Sequence, residues 1–136
     1  MIVAVANLVL YLLLPGARTE GAEAVYERDP AWVVPRLCLS EVRNVLAKQV
    51  RARRVTLADA EVMMRRAEEL VGSRQLEVDS ATVLRIAASS GLSAYDAEYL
   101  ALAETLDVPL ITEDRALHAA AGLRAQSVAT FLAGPR

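Results

Sequence analysis

Short apolar runs alternate along the chain with stretches whose apolar positions recur every three or four residues. Ile2-Val3-Ala4-Val5-Ala6 is continuous and rich in β-branched side chains, the pattern of a central strand covered on both faces. Asn7 then reads as an N-cap, and Leu8 to Leu14 as a short helix stopped by Pro15-Gly16. Thr19 to Arg28 predicts a second helix that ends near Asp29-Pro30, and Trp32-Val33-Val34 a second strand closed by Pro35. From Ser40, the spacing of Val42, Val45, Leu46 and Val50 predicts an amphipathic helix, broken by Arg51-Ala52-Arg53-Arg54. Thr56 caps a further helix with Leu57, Val62, Met63, Ala67 and Leu70 on one face, and Gly72 ends it. Leu76-Glu77-Val78 is a short strand, Ser80 to Ser90 a helix closed by Gly91, and Ser93 the cap of a helix running to about Leu106. Leu110-Ile111-Thr112 predicts a strand, His118 lies in a small helix, and Ser127-Val128-Ala129 reads as a last short strand.

Strands alternating with helices imply an α/β fold with a mostly parallel sheet. Such sheets carry their sites beyond the carboxyl ends of the strands, which directs attention to Asn7, the Ser40 region and Thr112 to Asp114. The length, 136 residues, suits one domain over residues 1–136. The apolar start is too short for a membrane span and lacks the basic region of a signal peptide, so a buried strand and helix is the better reading.

Composition narrows the chemistry. A hydrophobic fraction of 54% excludes a disordered chain. Fifteen basic residues against seventeen acidic ones leave a net charge of -2, which excludes coating of nucleic acid by bulk charge. One cysteine, Cys38, and one histidine, His118, exclude an internal disulfide and a Cys- or His-rich metal site, and suit a reducing cytoplasm. Cys38 sits in an apolar stretch and reads as core; His118 reads as surface or packing.

Three acids stand at the expected places. Asp114 follows the strand ending at Thr112, Asp96 lies three residues after the cap Ser93, and Glu41 follows Ser40. Helix starts carry partial positive charge and free N–H groups that steady an anion, and an acid there ordinarily does no more than that. Brought together, the three repel one another and call for a cation; oxygen-only ligands suit Mg²⁺ or Mn²⁺.

Four segments in order add to this reading: Met1 to Leu12 (MIVAVANLVLYL), Ser40 to Leu46 (SEVRNVL), Leu92 to Ala103 (LSAYDAEYLALA) and Leu110 to Leu117 (LITEDRAL). Together they resemble the PIN-domain family, most closely its VapC-type toxins. The resemblance implies a three-layer α/β/α sandwich and a carboxylate cluster that binds Mg²⁺ or Mn²⁺ and hydrolyses RNA phosphodiester bonds. Glu41, Asp96 and Asp114 match three of the family's acids, and Asn7 and Thr112 its supporting polar positions. The family's first aspartate is missing: Val5 stands in its place, similar in size but without a ligand oxygen. The resemblance also implies a homodimer and a cognate, VapB-like antitoxin, for which the apolar start and the Val62-Met63-Met64 helix are candidate surfaces.

Lys48, Arg51, Arg53 and Arg54 form a basic cluster that could meet RNA phosphates or simply be a solvated corner. Tyr95 and Tyr99, at i and i+4, read as packing. A non-catalytic binding module, keeping antitoxin or RNA affinity, is the alternative to a nuclease. A phospho-accepting receiver-like domain is disfavoured by Val5 and the lone lysine, and nucleotide-dependent classes by the lack of a glycine-rich loop.

Overall fold

In the computed structural model, which describes Met1–Arg136, the strands are β1 (Ile2–Ala4), β2 (Trp32–Pro35), β3 (Gln75–Leu76), β4 (Leu110–Ile111) and β5 (Ala125–Gln126). The helices are α1 (Ala6–Leu13), α2 (Thr19–Arg28), α3 (Leu37–Arg51), α4 (Leu57–Val71), α5 (Ser80–Ser90), α6 (Ala94–Leu106), α7 (Arg115–Ala121) and α8 (Val128–Ala133). All strand pairs are parallel, in the order β3-β2-β1-β4-β5. Ile2 pairs with Trp32 on one side, and Ala4 with Ile111 on the other. Right-handed crossovers then put α1–α4 on one face of the sheet and α5–α7 on the other, giving the three layers expected. Consistent with this, α6 packs across β1, β2 and β4, while α8 returns to lie against α2.

The wholly apolar β1 and β2 are buried, as strands covered on both faces must be. Tyr26 meets the Trp32 ring edge-on, 5.6 Å between centroids. Three arginines close the amino end of the sheet. Arg28 donates to the carbonyls of Leu132, Gly134 and Pro135 at 2.6–2.7 Å. Arg74 donates to those of Trp32 at 3.0 Å and Leu70 at 2.7 Å, and Arg124 to those of Ala103 and Val108, both at 3.2 Å. A planar guanidinium can bridge diverging acceptors in this way and a lysine ammonium cannot, which gives the fourteen-to-one preference for arginine a structural use here.

Several boundaries differ from those predicted. β1 stops at Ala4, and the N-cap of α1 is Val5; Asn7 lies inside the helix. α3 begins at Leu37, three residues before Ser40, because Cys38 and Leu39 already belong to its buried stripe with Val42 and Leu46. β3 sits at Gln75–Leu76, since Asp79 is committed to capping α5 through Thr82 N–H at 3.0 Å. Ser127-Val128-Ala129 is not a strand. The strand is Ala125–Gln126, in register with β4, and Ser127 caps α8 by accepting from Thr130 N–H at 3.0 Å.

Candidate active site

β1 and β4 end side by side, so the residues just beyond them, Val5 and Thr112, become neighbours in space. Thr112 is the only buried polar residue, 3% exposed. Its Oγ1 accepts from Asp114 N–H at 3.0 Å, and its carbonyl accepts from His118 Nε2–H at 2.8 Å. These bonds fix the turn that presents Asp114, the N-cap of α7, whose Oδ1 accepts from Leu117 N–H at 2.9 Å. His118 is therefore a packing brace, as expected of it.

Asp96 occupies the first turn of α6, with its own N–H held by Ser93 Oγ at 3.1 Å. Glu41 lies in the second turn of α3, too far along the helix to draw on its free N–H groups. Its support comes from elsewhere: the Tyr99 hydroxyl donates to Glu41 Oε1 at 2.5 Å. Glu41, Asp96, Asp114, Asn7, Thr112, Val5 and Tyr99 together line one cleft of about 100 Å³. The three predicted acids thus share a single site at the carboxyl end of the sheet, where the α/β rule places it.

Tyr99, expected from its spacing only to pack, is a member of the cleft. Its ring is buried, but its hydroxyl points to Glu41; its place three residues after Asp96, on the same helical face, is the signal that could have found it. Tyr95, its supposed packing partner, is 68% exposed. The packing reading fails for Tyr95 because position 95 lies on the solvent side of the first turn of α6.

The electrostatics follow from burial and like charge. Desolvation first, then the neighbouring Asp96, pushes the Glu41 carboxyl above its usual range. Desolvation and then Asp114 do the same to Asp96, and desolvation and then Glu41 to Glu98. No arginine, lysine or histidine forms an ion pair with Glu41, Asp96 or Asp114. Burial pushes Tyr99 strongly up, so it stays a donor, and pushes the Cys38 thiol up to about 12, which removes it as a nucleophile.

An uncompensated set of oxygen donors is the chemistry that a hard divalent cation takes. Glu41, Asp96 and Asp114 fit that role by donor type, while no three acids close on one point as a finished cage. Val5 contributes two methyl groups to the wall and no donor; it occupies the N-cap of α1 without making a side-chain cap bond.

The family model for the PIN domain matches residues 2–123. The chain belongs to the PIN domain family. Among solved structures, PAE2754 from Pyrobaculum aerophilum is similar at 27% identity, with a TM-score of 0.77, over 96% of this chain and 92% of that one. FitAcB from Neisseria gonorrhoeae shares the fold at 21% identity and a TM-score of 0.69, over 88% of this chain and 93% of that one. A comparison with curated proteins finds no match. Membership of the family supports a PIN nuclease-type function, and PIN domains are in general nucleases dependent on a divalent metal.

The other predicted surfaces are rearranged. Most of the apolar start is core, since Ile2–Ala4, Leu8–Leu10 and Leu13 are buried, while Tyr11, Leu12 and Leu14 stay partly exposed. Met63 lines a cleft of about 690 Å³ with Arg53 and Arg54, whereas Met64 lines a separate groove of about 350 Å³ between α3 and α4 with Arg51. The two hollows adjoin at Val50 and Leu57, so Arg51, Arg53 and Arg54 stand around one end of the α3–α4 pair, while Lys48 lines neither hollow. No helix is long and apolar enough to cross a membrane.

Proposed function

We propose that this chain, as one domain over residues 1–136, is a PIN-domain toxin scaffold of the VapC type, built for metal-dependent hydrolysis of RNA phosphodiester bonds and weakened or silenced at Val5. The observation that carries this reading is the convergence of Glu41, Asp96 and Asp114 on one cleft whose fourth wall is Val5. Glu41, steadied by Tyr99, and Asp96 and Asp114, presented by helix starts, are the residues that would hold Mg²⁺ or Mn²⁺. A bound divalent ion supplies activation of water and neutralisation of charge on the phosphate. Thr112 sets the angle of Asp114, and Asn7 stands on the open side of the cleft as a polar contact for substrate. Lys48 and Arg51, further along α3 from Glu41, and Arg53 and Arg54, exposed just past its end, supply cations for a longer RNA backbone.

Val5 bears on this reading twice. An aspartate is a favoured N-cap and valine a poor one, so the family's residue would cap α1 and supply an oxygen to the cleft from one position. The working state in this reading is a cytoplasmic homodimer restrained by a VapB-like antitoxin. The apolar groove between α3 and α4 supports a partner of that kind.

The test compares the chain with Val5→Asp on structured RNA in Mn²⁺. The expected result is little or no cleavage by the parent and cleavage by Val5→Asp that chelation abolishes. Equal, strong cleavage by both would overturn the assignment to Val5. The alternative, a non-catalytic module that keeps antitoxin or RNA binding, gains if Val5→Asp binds Mn²⁺ in a calorimetric titration and still leaves RNA intact.

A further inference from the structure

The acidic cleft adjoins a second hollow of about 210 Å³, and the two share Val5, Asn7, Thr112 and Asp114 in their walls. The character of the second hollow is different. Leu8, Ile111 and Val128 give it an apolar floor, and Tyr11 an aromatic side. Asn7 and Tyr11 are four residues apart on α1, so they stand one above the other on the same face. Tyr11 is only partly buried.

The Arg18 guanidinium lies 5.6 Å from the centre of the Tyr11 ring. Its hold on Glu113 is loose, 3.9 Å, and its side chain is 57% exposed. Glu113 itself is anchored, since its Oε1 accepts from Val128 N–H at 2.8 Å. The arrangement is thus an anchored acid, a partly exposed ring and between them a cation held by one long ion pair and the ring face.

A ring face, a planar cation, an amide with donors and acceptors, and room for about one heteroaromatic ring system are the means by which proteins hold an unstacked base. We propose that this hollow is a nucleobase subsite. The base next to the phosphate held at the acids stacks on Tyr11 in place of the guanidinium, the Asn7 amide meets its edge, and Arg18 turns to the flanking phosphate. This rests on the reading of the cleft as an RNA site and adds to it a determinant of which nucleotide is seated.

The test measures binding, so it does not depend on cleavage. A fluorescein-labelled ten-nucleotide RNA and a ribose-phosphate strand of equal length lacking bases are titrated with the full-length chain and with Tyr11→Leu and Tyr11→Trp, in Mn²⁺, by anisotropy. Loss of one stacked base predicts RNA affinity lowered roughly 5- to 150-fold in Tyr11→Leu and kept in Tyr11→Trp. Removing the bases should cost the parent more affinity than it costs Tyr11→Leu. Thermal melting checks that each variant is folded. Arg18→Gln, at a side chain that is 57% exposed, gives an independent arm: its salt dependence should fall by about one phosphate contact. If the parent binds RNA but Tyr11→Leu binds it equally well, or the base-free strand binds the parent as tightly as RNA, the subsite is overturned and the nuclease reading stands. If the parent binds neither strand, both fall.

Discussion

At the amino end of the strands, Arg28, Arg74 and Arg124 each donate to main-chain carbonyls, so charge there is matched by acceptors. At the carboxyl end, Glu41, Asp96 and Asp114 face one another with no basic side chain paired to any of them. The same sheet is therefore tied off at one edge and left under electrostatic tension at the other. Sites that must hold a ligand commonly carry such tension, and the rest of the fold compensates for it.

Breaking the tied edge should have the largest effect. Arg74→Ala orphans the carbonyls of Trp32 and Leu70 and should lower the unfolding free energy by about 3 kcal/mol in urea denaturation. Arg74→Lys should recover less than half of that, because one ammonium cannot serve both acceptors. Full recovery would mean that the guanidinium geometry is irrelevant. Next in size is Tyr99→Phe, which strips Glu41 of its buried donor; the expected loss is about 1–2 kcal/mol. Since that donor holds the Glu41 carboxyl down, its removal should raise the Glu41 pKa further, read by carboxyl NMR titration.

The smallest effect has the opposite sign. Asp96→Asn removes a charge that repels Glu41 and is repelled by Asp114, and should raise Tm slightly, since solvent screens a half-exposed pair. The pH dependence carries the same message. Glu41 and Asp96 bind protons more tightly folded than unfolded, so the folded state gains as pH falls from neutral through their raised pKa values towards the ordinary carboxylate range. Tm in a metal-free buffer should rise over that interval in the parent and rise less in Asp96→Asn. A flat parent profile would remove the claim of tension at the carboxyl edge.

The sheet and its acids were legible because their determinants are local. Continuous apolar runs mark β1 and β2, and Ser93 and Asp114 sit beside the helices they cap. What escaped depends on partners distant in sequence. Tyr99 acquires its role from Glu41, 58 residues away, and Arg74 from Trp32, 42 residues away. No periodicity contains such pairings. Ser127 to Ala129 misled for another reason: a small apolar stretch suits strand and helix alike, and the register with β4 settles it two residues earlier.

β1 occupies the centre of the sheet, and its flanking strands come from distant parts of the chain. During synthesis, β2 can pair early, but β4 and Asp114 emerge only after most of the polypeptide has been made. Until then, the first strand has one open side, and two of the three acids have not met the third. Assembly of the acidic cleft is thus scheduled by topology. A truncated or stalled chain carries the opening motif without the closing one, so the three acids share no cleft until Asp114 has been made.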